Sequence, residues 1–271
     1  MHRLQRQAFS VLWLLAACQP AGAATLPEQM QCLRDNLPSA WVARMTVHAE
    51  DAEGGTLTQT LVYADRRDEA RERVATVVQF LSPEHLRGLA HLYLQRGDRR
   101  RQFSYLPALD RTREVTGGDG GIPVLDGVPG LADLEALWRW PAQAAISLGP
   151  VTRQDGHAVQ VIRANRRVAN AQGVGFERFE GQLDLHTCLI INGTLRDADG
   201  QRLIGMTADR RSLQAFGPHW LARRIEIAPT RNGGRAVISL DAVNVDPVFP
   251  SGSFDPQRFH RVGLAPLAGG H

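Results

Sequence analysis

The sequence of 271 residues contains no lysine; all 31 residues counted as Lys or Arg are arginine. That excludes mechanisms built on a Schiff-base lysine or a phosphate-loop lysine. Cysteine is scarce as well, with only Cys18, Cys32 and Cys188, and no CxxC pair among them. The nine histidines are scattered, so a zinc-ligand set at conventional spacing is missing. No Gly-x-Ser-x-Gly elbow and no His-Glu-x-x-His element occurs. An excess of one charge is also lacking. The formal charge is +3, and without Arg3 and Arg6 the 31 basic residues fall to 29 against 28 acidic ones. A chain that close to neutral carries no electrostatic footprint for phosphate backbones, and nucleic acid is not an expected partner.

What is present begins with a leader-like segment. Arg3 and Arg6 precede an apolar stretch from Ala8 to Ala17, too short to span a bilayer. Two processing sites compete in residues 1–23. Leu15-Ala16-Ala17-Cys18 fits a bacterial lipobox, making Cys18 a lipidation candidate, while Ala21-Gly22-Ala23 fits ordinary cleavage before Ala24. Either way Cys32 and Cys188 remain. An oxidising compartment favours a bridge between them, with two separately buried thiols as the alternative.

After the leader, Leu26, Met30, Leu33 and Leu37 recur at helical spacing, and Pro27 and Pro38 bracket a helix over Pro27 to Leu37. From Trp41 the period changes to two. Trp41, Ala43, Met45 and Val47 alternate with Val42, Arg44, Thr46 and His48. Similar runs over Thr56 to Tyr63, Val74 to Phe80, Ala158 to Ala164, Phe176 to Leu185, Leu189 to Arg196 and Gln201 to Ala208 predict hairpin-linked antiparallel strands. Trp220 to Ile227 and Ala236 to Val245 predict one more hairpin. A Gly- and Pro-rich loop over Gly117 to Gly130 and a helix over Leu131 to Trp140 interrupt the strands. No linker composition divides residues 38–262, so one domain over 24–265 with a tail at 266–271 is the economical reading.

The most specific stretch runs from Phe80 to Arg113. In Phe80-Leu81-Ser82-Pro83-Glu84, Ser82 suits an N-cap, Pro83 a first helical position and Gly88 the stop after one turn. Leu89 to Leu94 and Gln102 to Leu106 read as the strands of a hairpin with Arg99, Arg100 and Arg101 at its tip. This element, followed by Tyr105-Leu106-Pro107-Ala108-Leu109-Asp110-Arg111-Thr112-Arg113, resembles the LolA-like family of outer-membrane lipoprotein-sorting proteins. There an F-x-x-P-x-x-x-x-G element precedes a Y-L-P-A-L-x-R-x-R element at about this distance. Further likeness lies in the hairpin from Asp184 to Leu203 and in the tail from Val243 to Phe259. Between 117 and 135 the chain departs from the family pattern, keeping only Leu131-Ala132-Asp133-Leu134 of an acidic and aromatic element.

The resemblance implies an α+β, mostly β fold: a curved antiparallel sheet, or half barrel, closed by a few helices over a hydrophobic cavity. It implies a cavity wall drawn from Trp41, Met45, Phe80, Leu92, Leu94, Tyr105, Leu109 and Trp138, with Arg111 and Arg113 at the cavity mouth. Relatives place one cysteine before an N-x-P and another in a D-x-x-T-C element, as Cys32 and Cys188 stand here, which supports their pairing. The implied function is an exported, non-enzymatic, cofactor-free carrier of lipid or lipoprotein acyl chains. It would work in the periplasm, with Cys18 as an optional anchor to the outer membrane, and deliver to a membrane transporter or an outer-membrane receptor. A lipid- or lipoprotein-sensing regulator of the same fold is the alternative. A hydrolase ranks third, because no nucleophile–base pair is visible.

Overall fold

Every second side chain of the strand over Ala40–Glu50 (β1) is apolar and buried: Trp41, Ala43, Met45, Val47 and Ala49. Its other face carries Val42, buried, and then Arg44 and His48, both exposed. One face of the sheet is therefore covered along the whole strand and the other only at one end. The computed structural model describes residues 25–71, 73–97, 99–115, 145–165, 178–197, 199–228 and 233–269.

Around β1 the described residues build β2 (Thr56–Asp68), β3 (Arg73–Ser82), β4 (Ala90–Arg96), β5 (Arg99–Leu106) and β6 (Arg111–Val115). A second run supplies β7 (Ala145–Gln154), β8 (His157–Asn165), β9 (Arg178–Asp184), β10 (Leu189–Arg196) and β11 (Arg202–Ala208). The chain continues through β12 (Leu213–Phe216), β13 (His219–Ala222), β14 (Arg224–Ile227) and β15 (Arg235–Asn244). Among the described residues two helices frame the strands, α1 (Leu26–Asn36) and the short α2 (Ala265–Ala268). Thirteen of these strands form one sheet in the order β6-β5-β4-β3-β2-β1-β15-β14-β11-β10-β9-β8-β7, and every pairing in it is antiparallel. β6 and β7 are its edges, so the sheet is open, and β12 pairs with β13 in a separate ribbon. This is the mostly β, half-barrel architecture expected above.

The inner layer gathers Trp41, Met45, Val47, Leu61, Tyr63, Phe80 and the apolar side chains of β9 to β11, β14 and β15. α1 packs on that layer through Met30 and Leu33. The outer layer holds Val42, Val62, Val77, Leu92 and Phe103, and the segment after β15 covers it with Phe259, Leu264 and Ala268. Gln79 fixes this cover, its Nε2 donating to the carbonyls of Phe259 (3.0 Å) and Val262 (2.7 Å) while its Oε1 accepts from the Leu264 amide (3.3 Å). The expected tail thus contributes to the core, with Ala268 buried in it.

Three local expectations change. Ser82 closes β3 and accepts from the Thr60 amide (3.1 Å) instead of capping a helix, and the following turn is a short 3₁₀ segment over Glu84–Leu86. The strand expected over Trp220 to Ile227 divides at Arg223, so that β13 pairs with β12 and β14 with β15. α1 begins at Leu26, one residue earlier than expected, with Glu28 accepting from the Thr25 amide (2.6 Å) at its N-terminus. The leader with Cys18, the loop over 117–130 and the helix expected over Leu131 to Trp140, with Trp138, lie outside the described residues.

Candidate functional site

Register determines which residues meet beneath α1. Met45 faces Leu61 on one side and Leu240 on the other, and Val47 faces Ile238, all on the inner face. Ile238 in turn faces Ile225 of β14, which faces Ala208 of β11, and the neighbouring row runs from Ala236 through Ile227 to Met206. These side chains floor a cavity of about 130 Å³, with Leu33 of α1, Leu37 just beyond that helix and Leu221 of β13 above it. Its wall is predominantly apolar, with Asn36 and Arg67 as its strongly polar members and Trp41 and Tyr63 as aromatic ones.

Two anchors hold α1 over this floor. Cys32 is disulfide-bonded to Cys188, with Cα atoms 5.5 Å apart, which ties the helix to the β9–β10 turn. That turn places Cys188 in the left-handed region, at φ 56°. Asp184 supports it by accepting from the amides of His186 and Thr187, each at 3.0 Å, and from the Arg210 guanidinium at 2.5 Å. Burial opposes the Asp184 charge, but the Thr187 amide and Arg210 outweigh it and leave its pKa below the usual carboxylate value. The second anchor is Asn36, at the end of α1. Its Nδ2 donates to the Trp220 carbonyl (3.0 Å) and its Oδ1 accepts from the Trp220 amide (2.6 Å), a side-chain imitation of strand pairing. His219 adds a bond from Nδ1 to the Asn36 carbonyl (3.1 Å).

The polar end of the cavity lies where α1 runs into β1. Leu37, Pro38 and Arg67 line it there, and the Arg67 amide donates to the Ser39 carbonyl (2.7 Å). Arg67 Nε contacts Asp65 at 3.0 Å, and the fully buried Asp65 also accepts from Thr76 Oγ1 (2.8 Å). One guanidinium is thereby fixed beside an otherwise greasy wall.

The side chains named from sequence separate into groups. Trp41 and Met45 line the cavity. Phe80 belongs to the same inner layer but stands off the cavity wall. Leu92, Leu94 and Tyr105 lie in the outer layer, because Leu92 faces Val77 and Phe103 while the inner face of β4 is taken by His91 and Tyr93. Leu109 is 69% exposed in a 3₁₀ turn after β5. Arg111 and Arg113 are exposed on the edge strand β6, with four strands between them and β1, so they do not rim this cavity. The structure adds Ile190, Met206, Leu221, Ile227, Ile238 and Leu240 to the wall. The alternation of Ala236, Ile238 and Leu240 with Val237, Ser239 and Asp241 marks them as one face of a strand, but only long-range pairing brings that face under α1.

The inner face turns polar towards β4 and β5. His91 is buried, its Nδ1 3.1 Å from Ser104 Oγ and its ring edge-on to Phe80. Desolvation lowers its pKa to about 4. An unfolded histidine titrates near 6.5, so between about 6.5 and 4 the unfolded chain takes up a proton that the native state refuses. Stability should accordingly fall by roughly 3 kcal/mol as pH drops through that window. Urea midpoints measured across it should show the slope in the native chain and its loss in His91→Gln; equal slopes in both would refute the assignment.

A family described as an uncharacterized protein family matches residues 72–261. Among solved structures, an outer membrane lipoprotein-sorting protein domain from Vibrio parahaemolyticus is similar with a TM-score of 0.73 at 15% identity, over 86% of this chain and 96% of that one. A DUF1329 family protein from Desulfovibrio piger has a TM-score of 0.72 at 13% identity, with 84% and 94% covered. A LolA superfamily protein from Nitrosomonas europaea has a TM-score of 0.60 at 10% identity, with 83% and 96% covered. At such identities the likeness is one of fold, and the fold is LolA-like. No curated protein matches the sequence.

Proposed function

The chain belongs to the uncharacterized protein family matched over most of its described sheet, and from its LolA-like fold and its apolar cavity we propose a carrier that shelters acyl chains of lipids or lipoproteins beneath α1. The observation that carries this reading is the cavity itself, predominantly apolar with its strongly polar residues, Asn36 and Arg67, at one end. It offers no chemistry beyond binding, and binding suffices: each methylene buried is worth about 0.8 kcal/mol. The cavity's 130 Å³ is smaller than the few hundred Å³ of most small-molecule sites, so an acyl chain enters by widening it. Met45 and Met206 supply that adaptability, since an unbranched thioether repacks at low cost. The periplasm as workplace, and delivery to a transporter or an outer-membrane receptor, follow from the same reading together with the leader-like segment. Trp41 and Met45 are its proposed contact residues, and Cys18 its proposed anchor.

Mass spectrometry of lipids retained by the natively purified protein tests the proposal. Acyl lipids recovered in near-equimolar amount are the expected result. A protein that emerges free of lipid and fails to bind a fluorescent fatty acid would not be a carrier.

A further inference from the structure

Three arginines stand in register at one end of the sheet. Arg73 of β3 faces Arg96 of β4, and Arg96 faces Arg99 of β5. Directly opposed residues on antiparallel strands have Cα atoms about 4.5–5.5 Å apart, and like charges so placed destabilise the pair. All three side chains are exposed, on the face opposite the cavity, and none has an ion-pair partner among the described residues. Asp68, which faces Arg73 from β2, has its carboxylate engaged by Arg71 at 2.9 Å. Other exposed arginines are neutralised locally, as Arg101, Arg163 and Arg235 are by Glu114, Glu180 and Glu50 at 2.8, 2.6 and 2.6 Å, and what sets Arg73, Arg96 and Arg99 apart is that they stand in one register row.

The position of this row bears on its role. Arg67 faces Val74 and Asp68 faces Arg73, so the row continues sideways from the strand end that supplies Arg67 to the cavity. Leu37 and Pro38, where α1 meets β1, lie at that same end. We infer that Arg73, Arg96 and Arg99 form a cationic ledge that docks the protein on anionic phospholipid headgroups, with the polar end of the cavity turned towards the bilayer surface. Planar guanidiniums suit phosphate oxygens, and an anionic surface offsets the repulsion between like charges set in register. The orientation of the cavity rests on the carrier reading; the ledge itself does not.

The test is cosedimentation of the full chain with vesicles of mixed phosphatidylglycerol and phosphatidylcholine, against vesicles of phosphatidylcholine alone. The native protein should sediment only with the anionic vesicles and be released by salt. A triple variant, Arg73→Gln, Arg96→Gln and Arg99→Gln, should bind them on the order of a hundredfold more weakly, given the contribution of each basic side chain at an anionic surface. Its fluorescent fatty-acid binding should equal that of the native chain, which also shows that it is folded. A native protein that stays in the supernatant, or a triple variant that sediments like it, overturns the ledge. Retention on polyglutamate without vesicle binding would overturn it in favour of an acidic protein partner. Loss of fatty-acid binding with vesicle binding intact would instead remove the carrier reading and leave the ledge standing.

Discussion

Replacing Cys32 and Cys188 together with serine should lower the unfolding free energy by about 4 kcal/mol and free α1 from the sheet. The bridge spans 156 residues of sequence, so in the chain-entropy account it removes a large share of the unfolded chain's freedom. It is also the tie that keeps Leu33 and Leu37 over the cavity floor. Without it α1 is left with its apolar contacts, the paired bonds of Asn36 to Trp220 and the bond from His219 to the Asn36 carbonyl. An eleven-residue helix is marginal by itself in water, so the loss should spread along it. Urea unfolding of oxidised and reduced native protein, alongside the double variant, measures the effect. Limited proteolysis should cut within 25–38 in the reduced and variant forms and spare the oxidised one. Equal midpoints and equal cleavage would mean that the helix is held by packing and Asn36 alone.

This bridge was legible because cysteine is rare here, and with Cys18 read as part of the leader-like segment only Cys32 and Cys188 remain, in the contexts that the LolA-like resemblance implies. Strand order was harder to read, but strand existence was not: β1 shows its faces in the alternation of Trp41, Ala43, Met45 and Val47 with Val42, Arg44, Thr46 and His48. What alternation does not carry is phase across strands. Leu92 and Leu94 alternate as cleanly as Met45 and Val47, yet they face outward, because the turn over Glu84–Leu86 brings β4 back with His91 and Tyr93 on the inner side. The sequence offered no reason to suspect a second apolar layer. Its cover, Phe249, Phe254, Phe259 and Leu264, recurs every five residues, a spacing that matches neither the helical nor the strand period. Likewise, half of the cavity floor comes from β11, β14 and β15, strands distant in sequence from β1, and no local pattern announces that meeting.

The two layers make a decisive experiment possible, since they should answer differently to substitution. Ala236→Phe places a ring in the cavity, whose floor includes Ala236 between Ala49 and Ile227. Vacant space receives much of the added volume, so the stability cost should stay near the low end of the 1–3 kcal/mol typical of overpacking, about 1 kcal/mol. The ring would exclude roughly four methylenes of an acyl chain, so binding of a fluorescent fatty acid should weaken a hundredfold or more. Leu92→Ala is the converse. Leu92 is fully buried in the outer layer against Val77 and Phe103, and its truncation should cost about 2–5 kcal/mol while leaving fatty-acid affinity unchanged. Fluorescence titration and urea unfolding on both variants give the four numbers. If Ala236→Phe binds the probe as the native chain does, acyl chains are not held beneath α1. If Leu92→Ala loses the probe while still folded, the ligand lies on the outer face and the cavity under α1 is only an imperfection of packing.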